Sequence, residues 1–187
     1  MKYVKLPYKF GEHFYEISPY TGALLQYESP KHEKSIPKKV LDALRICDNP
    51  YMINTDSNES TIVSPTFQSI RCLNKMHDWF HFIGNNWFYF SLLYSKIKKP
   101  LFENSCYAFN AIRNHIPLQL ENKNEFCLQR SLLAIKTSRS FKKSGVLFIG
   151  ASLPTGNMHA WIIESNKNPD IQDREWIMYK PMLAFYY

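Results

Sequence analysis

The chain has 187 residues, 45% of them hydrophobic and 16% aromatic, enough to bury the core of one domain or of a small module joined to a larger one, and too apolar for disorder as its main state. Its 23 Lys and Arg exceed its 16 Asp and Glu, and the formal charge of +7 favours an acidic partner without choosing among peptide, nucleic acid and membrane surface. The longest apolar stretch, Trp79 to Tyr94, is broken by His81, Gly84, Asn85 and Asn86, short of the roughly 18 to 20 residues a spanning helix needs.

The N-terminal residues, Met1-Lys2-Tyr3-Val4-Lys5, lead into Pro7, Lys9 and Glu12 with no apolar signal segment, so a bacterial cytoplasmic location is expected. Tyr3 to Leu6 and His13 to Ser18 are short runs of β-formers separated by Pro7 and Gly11, which predicts a small antiparallel pair. Tyr20 to Leu25 reads as the start of a short helix. Ser35-Ile36-Pro37 is a helix start, with Ser35 as cap and Pro37 in the first turn, where a missing N–H does no harm. Val40, Leu41, Leu44 and Cys47 give that helix an apolar face, and Asp48-Asn49-Pro50 ends it. Asn54 to Ser60 is polar and turn-rich, a linker or inter-strand loop.

The middle reads as helical. Ser64 and Pro65 open a run in which Phe67, Ile70, Leu73, Met76, Phe80 and Ile83 recur at threes and fours. Asn86 to Ile97 is a second helix, stopped by Pro100, and Glu103 to His115 a third, with Cys106, Phe109 and Ile112 on its face. Aromatics at helical spacing are core rather than a base-stacking surface. Phe126 to Ile135 is one more helix. Gly145 to Ala151, His159 to Glu164 and Trp176 to Lys180 are strands, with a polar loop from Ser165 to Glu175 between the last two. The fold class is therefore α+β, with helices packed on one face of an antiparallel sheet.

The four cysteines, Cys47, Cys72, Cys106 and Cys127, form no CxxC pair, and in a reducing compartment they are expected to be thiols. Six scattered histidines give no metal site, and six glycines without a phosphate-loop pattern give no nucleotide site. The chemistry-bearing pair is Cys127 and His159. Cys127 lies in the first turn of its helix, where unpaired N–H groups and the helix dipole favour the nucleophilic thiolate. His159 follows Pro154-Thr155-Gly156-Asn157, a loop that sets it at a sheet end. A strand histidine facing a helix-start cysteine is one way to assemble a nucleophile and its base. Against this, a lone cysteine is more often a small core residue. Cys47, Cys72 and Cys106 read that way. The backbone N–H of Cys127 is a candidate oxyanion donor, and Gln129 follows the nucleophile too closely for that role.

The strings around the pair are more specific. Cys127-Leu128-Gln129-Arg130-Ser131-Leu132-Leu133-Ala134, then Leu147-Phe148-Ile149-Gly150, then His159-Ala160-Trp161-Ile162 occur in order, with His159 following Cys127 by 32 residues. They resemble the pattern of the lasso-peptide maturation B proteins, the microcin-type leader peptidases of the transglutaminase-like, papain-like cysteine-protease superfamily. The likeness covers Leu101 to the C-terminus. His13 to Ser18 followed by Thr21 to Leu25 is similar to the start of the small winged-helix-like leader-recognition module that is fused in front of the peptidase in some members.

The resemblance implies a recognition module over residues 1–65 and a peptidase domain over 66–187. It implies binding of the leader of a ribosomally made precursor and removal of that leader, with Cys127 as nucleophile and His159 as base, in antibiotic biosynthesis. The partners implied are the precursor peptide and an asparagine-synthetase-like lasso cyclase. The cofactor ATP is assigned to that cyclase and none to this chain, and neither nucleic-acid binding nor membrane insertion is implied. The family pattern also places an aspartate about twelve residues after the histidine to orient the imidazole. Here position 171 is Ile171, and Asp170 is the nearest carboxylate, with Asp173 next. If the loop is longer than the family's hairpin, Tyr179 takes the carboxylate's place and Pro181 matches the proline after it. Asp170 is the first choice, although Asp170 and Asp173 also suit a solvated turn. Two other functions fit the same residues: an acyl transferase or amidase on this fold, and a non-catalytic module that holds the precursor. The basic residues Lys31, Lys34, Lys38 and Lys39 suit an acidic leader, or simply a solvated helix end.

Overall fold

The computed structural model describes residues 1–29, 35–48, 71, 75, 101–115, 127–153, 155–165 and 177–187. The order of elements is β1 (Lys2–Lys5), β2 (Tyr8–Phe10), β3 (His13–Ile17), β4 (Leu24–Tyr27), α1 (Lys38–Asp48), α2 (Ser105–His115), α3 (Cys127–Thr137), α4 (Phe141–Ser144), β5 (Gly145–Ser152), β6 (Asn157–Glu164) and β7 (Lys180–Tyr186). The fold is α+β with two antiparallel sheets, one ordered β1-β7-β5-β6 and the other β2-β3-β4.

β5 is the spine of the larger sheet. Val146 to Ala151 are all buried, as a strand covered on both faces requires. One face carries Leu147, Ile149, Ala160, Ile162, Leu183 and Phe185 against α2 and α3, whose Ala108, Ile112, Leu132 and Ile135 complete the main core. The other face carries Val146, Phe148, Trp161, Ile163 and Ala184 against Val40, Ala43 and Ile46 of α1. Helices therefore cover both faces of the sheet, not one. Alternation along each strand sorts the side chains between the two layers.

Four local expectations are corrected. β1 does not pair with β3. It pairs with β7, Lys2 opposite Tyr186 and Lys5 opposite Leu183, at an outer edge of the larger sheet. β3 pairs instead with β2 and β4. The reason is burial: Val4 and Leu6 gain the core of the larger sheet, which a hairpin with β3 does not offer. The expected helix at Tyr20–Leu25 is a turn followed by β4. Ser18 Oγ accepts the Thr21 N–H there, and Gly22 takes a φ of 72° that a helix does not use. On α1 the buried face is Val40, Ala43 and Ile46, and Leu41 is exposed. The last strand begins at Lys180 and runs to Tyr186, while Ile177 and Met178 form a short turn and lie exposed. Pro181 opens that strand rather than closing one, a position where its missing N–H is tolerated.

The N-terminal segment is tied to the rest at several points. Ile17 is fully buried in the main core. Lys5 Nζ donates to Glu16 Oε1 at 2.6 Å, and the Tyr27 hydroxyl donates to Glu16 Oε2 at 2.7 Å, joining β1 to the small sheet. Residues 1–48 thus contribute a strand and a helix to the larger sheet. The expected boundary between residues 65 and 66 lies outside the described residues. So do the expected linker at Asn54–Ser60 and the apolar stripes of the first two middle helices, apart from Arg71 and Lys75, which are helical and exposed. Among the described residues no helix is long and apolar enough to cross a membrane.

Candidate active site

α3 begins at Cys127, and its next turn carries Ser131, Leu132, Leu133 and Ile135 into the core. The buried Cys127 sulfur accepts a hydrogen bond from the backbone N–H of Ala160 at 3.4 Å. One turn on, Ser131 Oγ donates to the Ala160 carbonyl at 3.4 Å. The N–H and C=O of one residue in an antiparallel strand point to the same side. β6 is the outer strand of its sheet. α3 therefore occupies the outer edge of β6, where another strand would otherwise add.

His159 is the residue before Ala160 and is 3% exposed. Alternation puts its side chain on the face opposite Ala160, the face covered by α1. The sulfur thus sits at the strand edge, beside the main chain that follows His159, and the imidazole sits on the α1 side of the same strand end. The imidazole stacks on Tyr179, with centroids 5.0 Å apart and an interplanar angle of 27°. It also lies near-parallel to Trp161 at 6.1 Å and 16°. Trp161 in turn stacks on Phe148 at 5.7 Å.

Of the sequence-predicted site residues, Cys127 and His159 are brought to one end of β6. Tyr179, weighed as the third member, lies against the His159 ring. Asp170 and Asp173 lie outside the described residues, as does Cys72. Cys106 is half-buried on α2. Cys47 is a free thiol whose pKa burial pushes up to about 12, against the opposing effect of its hydrogen bond with Trp161. It is no nucleophile at neutral pH. At Cys127 the helix start and the Ala160 N–H favour negative charge on sulfur, while burial opposes it. Among the described residues no group of three His, Cys, Asp or Glu side chains could hold a metal ion.

Two residues that the sequence reading left without a role, Ser131 and Gly150, shape this site, and a third, Glu164, holds the opposite end of β6. Ser131 is four residues after Cys127 and so lies on the same side of α3. Its spacing from Cys127 was a usable signal. Gly150 pairs with His159 across β5 and β6. A Cβ there would lie 2.8 Å from Trp161 Cη2 and would overlap the Lys180 carbonyl oxygen, so only glycine admits both neighbours. Glu164 ends β6 and is buried. Its Oε2 accepts the Ser105 N–H at 2.9 Å, and its Oε1 accepts the Ser140 hydroxyl. Burial raises its pKa, opposed by those two bonds and by Lys39. Lys39 is engaged further by the Lys142 carbonyl at 3.2 Å, so it is not a purely solvent-facing member of the expected basic cluster. Lys31 and Lys34 lie outside the described residues. No family model, curated protein or solved structure matches this chain.

Proposed function

We propose that the chain is a transglutaminase-like cysteine peptidase that removes the leader from a lasso-peptide precursor before a partner cyclase closes the macrolactam. The observation that carries the reading is the Ala160 N–H to Cys127 Sγ hydrogen bond, which ties the start of a helix to the strand end that bears His159. The three matching strings around Cys127, Gly150 and His159 support it.

In this mechanism the Cys127 thiolate attacks the carbonyl carbon of the scissile bond, with the displaced electron pair held as an oxyanion near the Cys127 backbone N–H. The C–N bond then breaks, and the proton held by His159 goes to the departing amine, the new N-terminus of the core peptide. Water, deprotonated by His159, cleaves the thioester and frees the leader acid. Asp170 is the proposed orienting carboxylate. The small β2-β3-β4 sheet recognises the leader, which adds as a strand at the outer edge of β4. ATP serves the partner cyclase.

The test incubates full-length wild type and Cys127→Ala with precursor, with and without cyclase and ATP, and follows leader release by mass spectrometry. The variant should bind precursor and release no leader. Release at the wild-type rate by Cys127→Ala would remove the catalytic assignment. Asp170→Asn in the same assay should slow release, and an unchanged rate would make the pair a working dyad.

A further inference from the structure

Four aromatic rings run in a row along the α1-facing side of the larger sheet: Tyr179, His159, Trp161 and Phe148. Only the spacing of His159 and Trp161, two residues apart on one strand, follows from local geometry. Tyr179 comes from a different segment, just before β7. Its approach depends on two backbone features. The register of β5 against β7 shifts between Ile149 and Gly150, a bulge that re-aims the entry to β7. Gly150, opposite both His159 and Pro181, leaves the space into which the Lys180 carbonyl and the Trp161 ring move. A bulge and a glycine beside one histidine, with a buried tyrosine face on its ring, form a built support and not a chance contact. Tyr179 is 8% exposed although Ile177 and Met178 beside it are 46% and 66% exposed. The segment turns this one side chain inward.

We infer that Tyr179 is a positioning residue: its ring, stacked on the imidazole, fixes the plane of His159 so that the histidine can act on Cys127. The inference rests on the cysteine-peptidase reading of the pair. A stack covers the face of the imidazole and leaves its two nitrogens in the ring plane for proton transfer and for an orienting hydrogen bond. The role is therefore compatible with Asp170 as a carboxylate partner. The aromatic face also favours the cationic imidazole that forms when the thiol loses its proton. The ring carries this role, and the hydroxyl does not.

The experiment uses the full-length chain and the variants Tyr179→Phe and Tyr179→Leu, with Tyr179→Met as the replacement should Leu fail to melt cooperatively. Two readouts need no substrate. The first is the ring-current shift of the His159 ring protons by NMR. The second is the rate of iodoacetamide alkylation at Cys127 near neutral pH, assigned by peptide mass spectrometry and compared with His159→Ala. Tyr179→Phe should keep the ring-current shift and the greater part of the alkylation rate. Tyr179→Leu should lose the Tyr179 part of the shift and keep that of Trp161, and its alkylation should slow roughly tenfold toward the His159→Ala value, a partial loss of the roughly 10²–10⁴-fold that a positioned acid–base group contributes. Wild-type alkylation in a folded Tyr179→Leu would overturn the inference. Equal slowing in Tyr179→Phe and Tyr179→Leu would also overturn it, by moving the role to the hydroxyl. If alkylation behaves as expected and the wild type releases no leader, the stack stands and the leader-peptidase reading falls.

Discussion

The backbone N–H of Ala160 donates to the sulfur of Cys127, one residue along β6 from His159. The Ala160 carbonyl is held by Ser131 of the same helix. Both polar groups of one strand residue are thus satisfied by side chains one helical turn apart. The relation sets the height of α3 along β6, and so the position of Cys127 relative to the end of the strand.

Ser131→Ala tests that docking. It removes one buried hydrogen bond and leaves a carbonyl at the edge of β6 without its donor, at a cost of about 1 kcal/mol. Urea unfolding should show a lower midpoint with an unchanged slope. Alkylation of Cys127 should change as well, because the start of the helix is less firmly held. A midpoint equal to wild type would show that apolar packing of Leu132 and Ile135 alone docks the helix.

Thiol reactivity should separate the cysteines. Burial keeps Cys47 protonated, with its pKa pushed up to about 12, and its thiol is also engaged with Trp161. Cys127 has an N–H donor and a helix start to stabilise the thiolate. Under limiting iodoacetamide near neutral pH, peptide mapping should find label on Cys127 well before Cys47. Faster labelling of Cys47 would mean that α1 opens readily from the Trp161 face.

How much of this could be read from residue order follows the range of the forces involved. α3, β5 and β6 were legible because their apolar patterns are local and strong. The pairing of β1 with β7 was not, because it joins the two ends of the chain and is decided by core burial rather than turn chemistry. β7 was misplaced because Trp176 to Tyr179 has strand-forming residues and Pro181 reads as a stop, while the bulge beside Gly150 that lets Pro181 open the strand leaves no local mark. That Cys127 opens a helix and His159 lies on a strand was legible for the same reason as α3 and β6 themselves, and the meeting of that helix with that strand at Ala160 was not. Nor was the stacking of Tyr179 on His159, since a tertiary bulge brings the two together.

Leader recognition should be salt-dependent and confined to the small sheet. β2 and β4 are its outer strands, and Leu25 and Gln26 of β4 are exposed. An added strand would protect the main chain of β4. Hydrogen exchange on the full-length chain, with and without a synthetic leader peptide, should show slowed exchange over residues 24–27. Affinity should fall as salt rises, given the charge of +7. Protection confined to β6 or β7 instead would move leader recognition to the larger sheet.

Glu164 should give the protein a pH-dependent stability of defined sign. Its carboxylate is shared between the first N–H of α2 and the hydroxyl of Ser140 before α4, so it fastens two helices to the end of β6. Burial raises its pKa above the ordinary 4.5, although Ser140, Ser105 and Lys39 pull the other way. The folded state therefore binds this proton more tightly than the unfolded state does. The contribution to stability is fully present below the ordinary carboxylate value and is lost as pH rises through the raised native value. Glu164→Gln removes the titration while its amide oxygen can still accept the Ser105 N–H. Every other titrating group, His159 included, is common to both proteins, so the difference between them isolates Glu164. Urea midpoints measured from pH 4.5 upward should fall more steeply in wild type than in Glu164→Gln. Parallel curves would show that the Glu164 carboxylate keeps its ordinary affinity for protons, stabilised by its three partners as fully as water would stabilise it.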